Sequence, residues 1–263
     1  MGDAILFTVD EGLARLTLNR PSRLNAFNSD LAHDWRDATA EAVARDDVRA
    51  ILLDAAGPAF CAGGDVIEMS TSMAEGSALT GLAGVINAGI RSLTTSAKPV
   101  VAAAHGTTAG GGLGILLCSD YAVVGSRSKL GSLYANIGLT PDLSVSAQLA
   151  LAVGERRALQ LVLQDRLLTA TEAVEWGLVA EAIEGPDAAA EADAVRARAE
   201  QIARFWLDGA AGAYGQAKRL VRARADSAFD DQLDDEARTI GASFDTEDAR
   251  VRVAAFASRS SGR

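Results

Sequence analysis

Phe60-Cys61-Ala62-Gly63-Gly64-Asp65 and Gly106-Thr107-Thr108-Ala109-Gly110-Gly111-Gly112 are two glycine-bearing runs, and each follows an apolar strand pattern and opens a helical one. The first turn of a helix has N–H groups with no internal partner and carries the positive end of the backbone dipole. Glycine at that point lets a ligand approach the main chain closely. Two such loops in one chain can aim two backbone donors at a single substrate oxygen, the arrangement that holds a developing oxyanion. For each loop taken alone, the other reading is a tight turn with no ligand. A dinucleotide fingerprint fits poorly: Gly110-Gly111-Gly112-Leu113-Gly114 does not keep the G-x-G-x-x-G spacing, and residues 128–132 offer no acid for a ribose.

Upstream of the loops, residues 5–9 and 13–18 alternate apolar and polar side chains around Asp10-Glu11-Gly12, which predicts a β-hairpin. Ser29 is placed to cap a helix running to about Arg45, with Leu31, Trp35, Ala38, Ala42 and Val43 on one side, and residues 48–53 read as a buried strand. Strand patterns return over 100–104 and 121–124 with helix to follow, and such alternation gives an α/β layered core. Thr169-Ala170-Thr171-Glu172 is a capping-box pattern for a short helix ending at Gly177, and residues 178–183 read as the next strand. From Asp187 onward the pattern is amphipathic helix almost to the end, interrupted over 209–215. The expected division is a core over 1–200 and a helical C-terminal segment over 201–263.

Composition narrows the classes. The 35 acidic against 25 basic residues give a net charge of -10, which argues against a nucleic-acid partner because phosphates demand a basic face. Local Arg and Lys can still offset the few phosphates of a small ligand. Two cysteines, Cys61 and Cys118, are too few for a disulfide framework or a four-thiolate metal site, so reduced thiols, a cytoplasmic location and no metal are expected. No basic n-region or long apolar run marks a signal peptide or a membrane span.

Read together with Leu18-Asn19-Arg20-Pro21-Ser22-Arg23-Leu24-Asn25-Ala26, the two loops resemble the crotonase superfamily of enoyl-CoA hydratases and isomerases over nearly the whole chain. The resemblance implies an α/β fold, a spiral of ββα repeats followed by a helical C-terminal segment that serves oligomerisation and covers the active site. It further implies a homotrimer or a dimer of trimers and an acyl-CoA substrate, with coenzyme A arriving as part of the substrate and no other cofactor. By resemblance the oxyanion donors are the N–H groups of Gly64 and Gly111. Arg23, Leu24 and Ala26 then contact coenzyme A, Ala62 offers its carbonyl to the adenine amino group, and Asp65 and Val66 complete that wall. Lys218 resembles a lysine that reaches coenzyme A phosphates, often across a subunit boundary, and its other reading is a solvated charge on an amphipathic helix. Residues 69–93, rich in small side chains, are expected to wall the acyl pocket, and Asp248, Ala255 and Phe256 fit the family's closing helix. Val251-Arg252 stands where Glu-Gly is common in that helix.

The departures from the family pattern carry more information than the matches. Hydratases of this family hold a water between two glutamates, and at those positions this chain has Gly114 and Tyr134. Neither is a carboxylate base, and a phenol with a pKa near ~10 accepts a proton poorly at neutral pH. Asp142, in Gly138-Leu139-Thr140-Pro141-Asp142, occupies a position where several branches place an active Asp, ring-epoxide isomerases and double-bond isomerases among them. The competing reading makes Thr140 an N-cap, Pro141 the first helical residue and Asp142 a first-turn acid. A helix dipole would lower the carboxyl pKa, whereas desolvation by Leu133, Leu139 and Leu143 would raise it. His33 reads as a surface or helix-contact residue and His105 as a satisfied strand-end residue. The leading expectation is an enoyl-CoA isomerase with Asp142 as proton shuttle. Its alternatives are a hydratase using Tyr134 and a homologue that binds acyl-CoA without catalysis.

Overall fold

Period-two alternation gives the central strands two apolar faces, and helices cover both. The computed structural model of the chain describes residues 2–164, 166–224 and 227–261. The hairpin is β1 (Ile5–Asp10) and β2 (Leu13–Leu18), followed by α1 (Ser29–Ala44) and β3 (Ala50–Ala55). The first glycine loop leads into α2 (Val66–Ser72) and α3 (Gly76–Thr95). Then come β4 (Val100–Ala104), β5 (Thr107–Ala109) and α4 (Gly111–Leu117), with the second loop at the β5–α4 junction. β6 (Tyr121–Gly125), β7 (Lys129–Gly131), α5 (Val145–Val153), α6 (Glu155–Val162), β8 (Leu168–Thr169), α7 (Ala170–Glu175) and β9 (Glu181–Ile183) complete the core. α8 (Ala188–Asp208), α9 (Ala211–Ala223), α10 (Phe229–Phe244) and α11 (Glu247–Ser261) follow.

The strands form a six-stranded sheet in the order β1-β2-β3-β4-β6-β9 and a three-stranded sheet in the order β5-β7-β8. Apart from the antiparallel β1–β2 and β7–β8 pairs, the pairings are parallel. Successive turns of chain thus give one strand to each sheet, β4 and then β5, β6 and then β7, with a helix to close the turn. That is the spiral the resemblance implied. Ile51 and Leu53 of β3 and Val100, Ala102 and Ala104 of β4 face α1 and α3 in one apolar cluster. Ala50, Leu52, Val101 and Ala103 face the other way, against Val195, Ala199, Ile202, Ala203 and Leu207 of α8. Arg15 of β2 joins the layers, donating to Asp54 of β3 at 2.9 Å and to Glu200 of α8 at 2.6 Å.

Element boundaries follow local chemistry, with some differences from the sequence reading. α1 is capped by Asn28, whose side chain accepts from the Leu31 amide, rather than by Ser29, which is its first helical residue. β3 starts at Ala50 instead of 48, and the strand read over 178–183 is confined to Glu181–Ile183. The Thr169–Glu172 capping box forms as read. A division at residue 200 would cut α8, whose continuity breaks at Gly209. The break read over 209–215 is short, since α9 resumes at Ala211 and runs through Gly212 and Gly215. Among the described residues no helix is long and apolar enough to cross a membrane.

Trp35 is the keystone between α1 and α3. It is 1% exposed, packs edge-on against Phe27 at 6.2 Å and donates its indole N–H to the Ile86 carbonyl at 3.1 Å. Trp35→Ala should therefore cost about 3–5 kcal/mol, a loss that urea denaturation monitored by circular dichroism will read.

Candidate active site

Two parallel bridges lock the glycine loops to their neighbours, Phe27 with Gly64 and Cys61 with Thr108. The Phe27 amide donates to the Gly63 carbonyl at 2.8 Å, the Asp65 amide to Phe27 at 2.9 Å, the Ala109 amide to Cys61 at 3.0 Å and the Gly110 amide to Gly131 at 3.1 Å. Close approach requires glycine here, since a β-carbon on Gly112 would sit 2.2 Å from the Cys61 carbonyl oxygen. After this pairing the amides of Gly63, Gly64, Gly111 and Gly112 find no acceptor among the described residues. A β-carbon built on Gly63 would lie 3.5 Å from the Gly111 nitrogen, so the leftover donors of the two loops are close neighbours. α4 is too short for its dipole to count for much, but its first-turn amides are unpartnered in the way a helix start requires.

Asp142 stands beside this pair of loops. It does not begin a helix: α5 starts at Val145, after Leu143 and Ser144 in the left-handed region at φ 47° and 67°. The capping reading of Thr140, Pro141 and Asp142 is thereby corrected, because two left-handed residues interrupt any helical turn that Asp142 would start. Leu143, next in the chain, packs its Cδ1 only 2.7 Å from where a β-carbon on Gly111 would lie. The Tyr134 hydroxyl donates to Asp142 Oδ1 at 2.6 Å. Burial raises the Asp142 carboxyl above its ordinary value, with the Tyr134 bond pulling the other way. Of the two opposed influences considered from sequence, desolvation wins. Tyr134 is itself pushed well up, first by burial and then by the Asp142 charge, so its phenol stays protonated and acts as a donor.

Asp65, the acid of the first loop, has a different fate. Burial alone would raise it, but its bond from Arg20 at 3.0 Å and the Ile67 and Glu68 amides that it caps hold it below the usual carboxylate range. It is a structural anion that clamps the loop to residues 20–26, where Arg20 also donates to the Ala26 carbonyl. Arg23 is exposed and its guanidinium has no partner among the described residues, while Leu24 accepts from the Ala62 amide at 3.0 Å. The Ala62 carbonyl accepts no hydrogen bond among the described residues. Ala26 is buried and Val66 is half-exposed at the start of α2. Of residues 69–93, Leu82, Ile86 and Ile90 pack in the core against α1, while Met69 of α2 lies against Gly64, its Cε 2.3 Å from where a β-carbon there would be.

Lys218 is corrected. It is 8% exposed and donates to the carbonyls of Leu93 and Lys98, each at 2.7 Å, with Asp120 Oδ2 3.1 Å away. This ammonium fastens α9 to the ends of α3 and β4 and is neither solvated nor free to reach a phosphate. Burial lowers its pKa, with Asp120 opposing. His33 is exposed and contacts the Ser29 carbonyl, whereas buried His105 contacts Gly57 through Nε2 and leaves Nδ1 without a partner among the described residues. Sequence reasoning missed the Arg20–Asp65 clamp, which joins residues 45 positions apart and has no local signature.

The sequence profile described as enoyl-CoA hydratase/isomerase matches residues 8–261. The 1,2-epoxyphenylacetyl-CoA isomerase of Escherichia coli K12 is 29% identical over 99% of this chain and 98% of its own length. A probable enoyl-CoA hydratase of Rhodobacter capsulatus is 33% identical over 96% of this chain and 94% of its own. Among solved structures, a putative enoyl-CoA hydratase from Streptomyces coelicolor superposes with a TM-score of 0.88 at 30% identity, covering 97% of this chain and 92% of that one.

The raised Asp142 carboxyl has a consequence for stability. A carboxyl whose folded pKa exceeds its unfolded value favours the fold below the unfolded value, and that contribution is lost as pH rises through the folded one. Ionised Asp142 is therefore a cost at neutral pH. Asp142→Asn should raise the melting temperature at pH 7, and the gain should vanish below pH ~4, as paired thermal melts will show.

Proposed function

Because this chain belongs to the enoyl-CoA hydratase/isomerase family, we propose that it is an acyl-CoA isomerase in which Asp142 carries a proton between two carbons of an enoyl thioester. The observation that carries this reading is the buried carboxyl of Asp142, raised above its ordinary value and held by Tyr134 at 2.6 Å beside the Gly111 loop. A carboxylate in that state is a stronger base than an exposed one. Asp65, which Arg20 and two backbone amides engage, lacks that capacity.

In the proposed reaction the C2–H bond of a 3-enoyl thioester breaks toward Asp142. Its electron pair moves onto the thioester oxygen through the conjugated dienolate. The amides of Gly64 and Gly111 hold that oxygen, each such donor being worth about 3–4 kcal/mol in a typical acyl-transfer enzyme. The protonated Asp142 then returns the proton at C4, giving the 2-enoyl product with atoms and charge balanced. Arg23, unpaired and exposed, fits the phosphates of coenzyme A, and the unengaged Ala62 carbonyl fits an amino donor. Leu24, Ala26, Asp65 and Val66 form the wall between them, with Asp65 acting through the loop that it clamps. The exposed apolar side chains Phe229, Ile240 and Phe244 of α10 support a homotrimer or a dimer of trimers built through the C-terminal helices.

Relatives named as hydratases keep water addition as the second reading. It requires Tyr134 to act on water, and a phenol that burial keeps protonated and that already donates to Asp142 is poorly suited to be the base. The test is conversion of a 3-enoyl-CoA to its conjugated isomer, followed by ultraviolet absorbance. Wild type should turn over, and Asp142→Asn should lose about 10²–10⁴-fold in kcat. Equal rates in the two proteins remove Asp142 from catalysis, and hydration of crotonyl-CoA abolished by Tyr134→Phe would favour the second reading. In the isomerase, Tyr134→Phe deletes a bond to the charged form of Asp142, so the acid limb of the kcat–pH profile should move to higher pH.

A further inference from the structure

We infer that Gly114 is a positioning residue for this site: the backbone of Leu143 fills the space that a side chain at 114 would need, and this close contact seats Asp142 beside Gly111. The inference rests on the assignment of Asp142 as proton shuttle. α4 is buried along its whole length. A β-carbon on Gly114 would lie 2.2 Å from the Leu143 carbonyl oxygen and 3.0 Å from the Leu143 β-carbon. The nearer atom is main chain, so no rotamer change relieves the overlap and the loop itself must move.

That loop is held in a conformation it would not choose alone. Leu143 and Ser144 are consecutive non-glycine residues in the left-handed region, at φ 47° and 67°, a state that persists only where surrounding contacts impose it. The contacts are identifiable. Leu143 is 5% exposed and seated on Gly111 and Gly114, the Val145 amide donates to the Asp142 carbonyl at 2.9 Å, and Gln148 donates to Ser144 Oγ at 2.6 Å. On the other side, the Tyr134 hydroxyl reaches Asp142 and the Leu139 amide donates to the Tyr134 carbonyl at 3.1 Å. The titratable groups that face the pair are the Tyr134 phenol and, behind it, the Cys61 thiol, which burial pushes up to about 12 and keeps neutral. Asp142 immediately precedes Leu143, so a side chain at 114 displaces the carboxylate along with the backbone.

The test compares wild type with Gly114→Ala and Ser144→Val, each checked for folding by circular dichroism. Ser144→Val adds nothing to α4 and disfavours the left-handed backbone directly, because a β-branched residue tolerates it badly. Each folded variant should lose about 10²-fold in kcat, the effect of an ångström-scale misplacement, while its Kd for an acyl-CoA stays within about twofold. The Asp142 carboxyl, followed by carbon-13 NMR titration, should fall toward the ordinary value as the loop opens to solvent. Wild-type kcat and an unshifted Asp142 titration in either folded variant overturn the inference. If wild type itself isomerises no enoyl-CoA, the catalytic reading fails, and the carboxyl titration still tells whether Gly114 seats the loop.

Discussion

Everything at this site depends on the pairing of two loop backbones so tight that only glycine fits between them. Cys61 with Thr108 pairs the loops with each other, and Phe27 with Gly64 ties the first loop to its upstream neighbour. The geometry then forces a remainder. An N–H without a partner is costly where water is excluded, and the two loops leave several such donors close together. The unpartnered amides at Gly64 and Gly111 are thus a product of the loop packing, and the rigidity of that packing suits the oxyanion role proposed for them.

The rest of the architecture serves to hold those loops still. β3 and β4, which precede the loops, sit in the middle of the larger sheet and are covered on both faces by separate apolar clusters. The Arg20–Asp65 clamp fixes the first loop from outside, while the Lys218 hub anchors α9 against β4 just before the strand that leads to the second. Charge is used differently in the three acids near these elements. Asp65 and Asp120 are paired with cations, while Asp142 has a neutral phenol for a partner.

Much of this was legible in the chain, because strand alternation, glycine runs and capping boxes are local patterns. The hairpin, the two strand-to-loop transitions, the Thr169 cap and the Asp187 start of α8 follow from residues a few positions apart. Tertiary choices were not legible. Lys218 on an amphipathic helix reads as a solvated cation, and only the arrival of the Leu93 and Lys98 carbonyls makes it a buried fastener. Thr140-Pro141-Asp142 spells a helix start, yet the contact of Leu143 with Gly111 and Gly114 pulls the next two residues into left-handed backbone and postpones α5 to Val145. A local rule was broken at the position where the proposed proton shuttle sits.

That breach has a physical logic. A carboxylate at a helix start gains stability from the dipole and loses basicity by the same amount. Moving Asp142 off the helix removes that stabilisation, and burial then raises the carboxyl further. The Tyr134 bond returns part of what burial takes, enough to oppose the shift without reversing it. A second fixed charge would have overcorrected, as Arg20 does for Asp65, whose carboxyl lies below the ordinary range. A neutral donor therefore leaves the Asp142 carboxyl above its ordinary value, the state that the proposed proton shuttle uses. The left-handed backbone at Leu143 and Ser144 is the structural cost of holding that carboxyl off the helix.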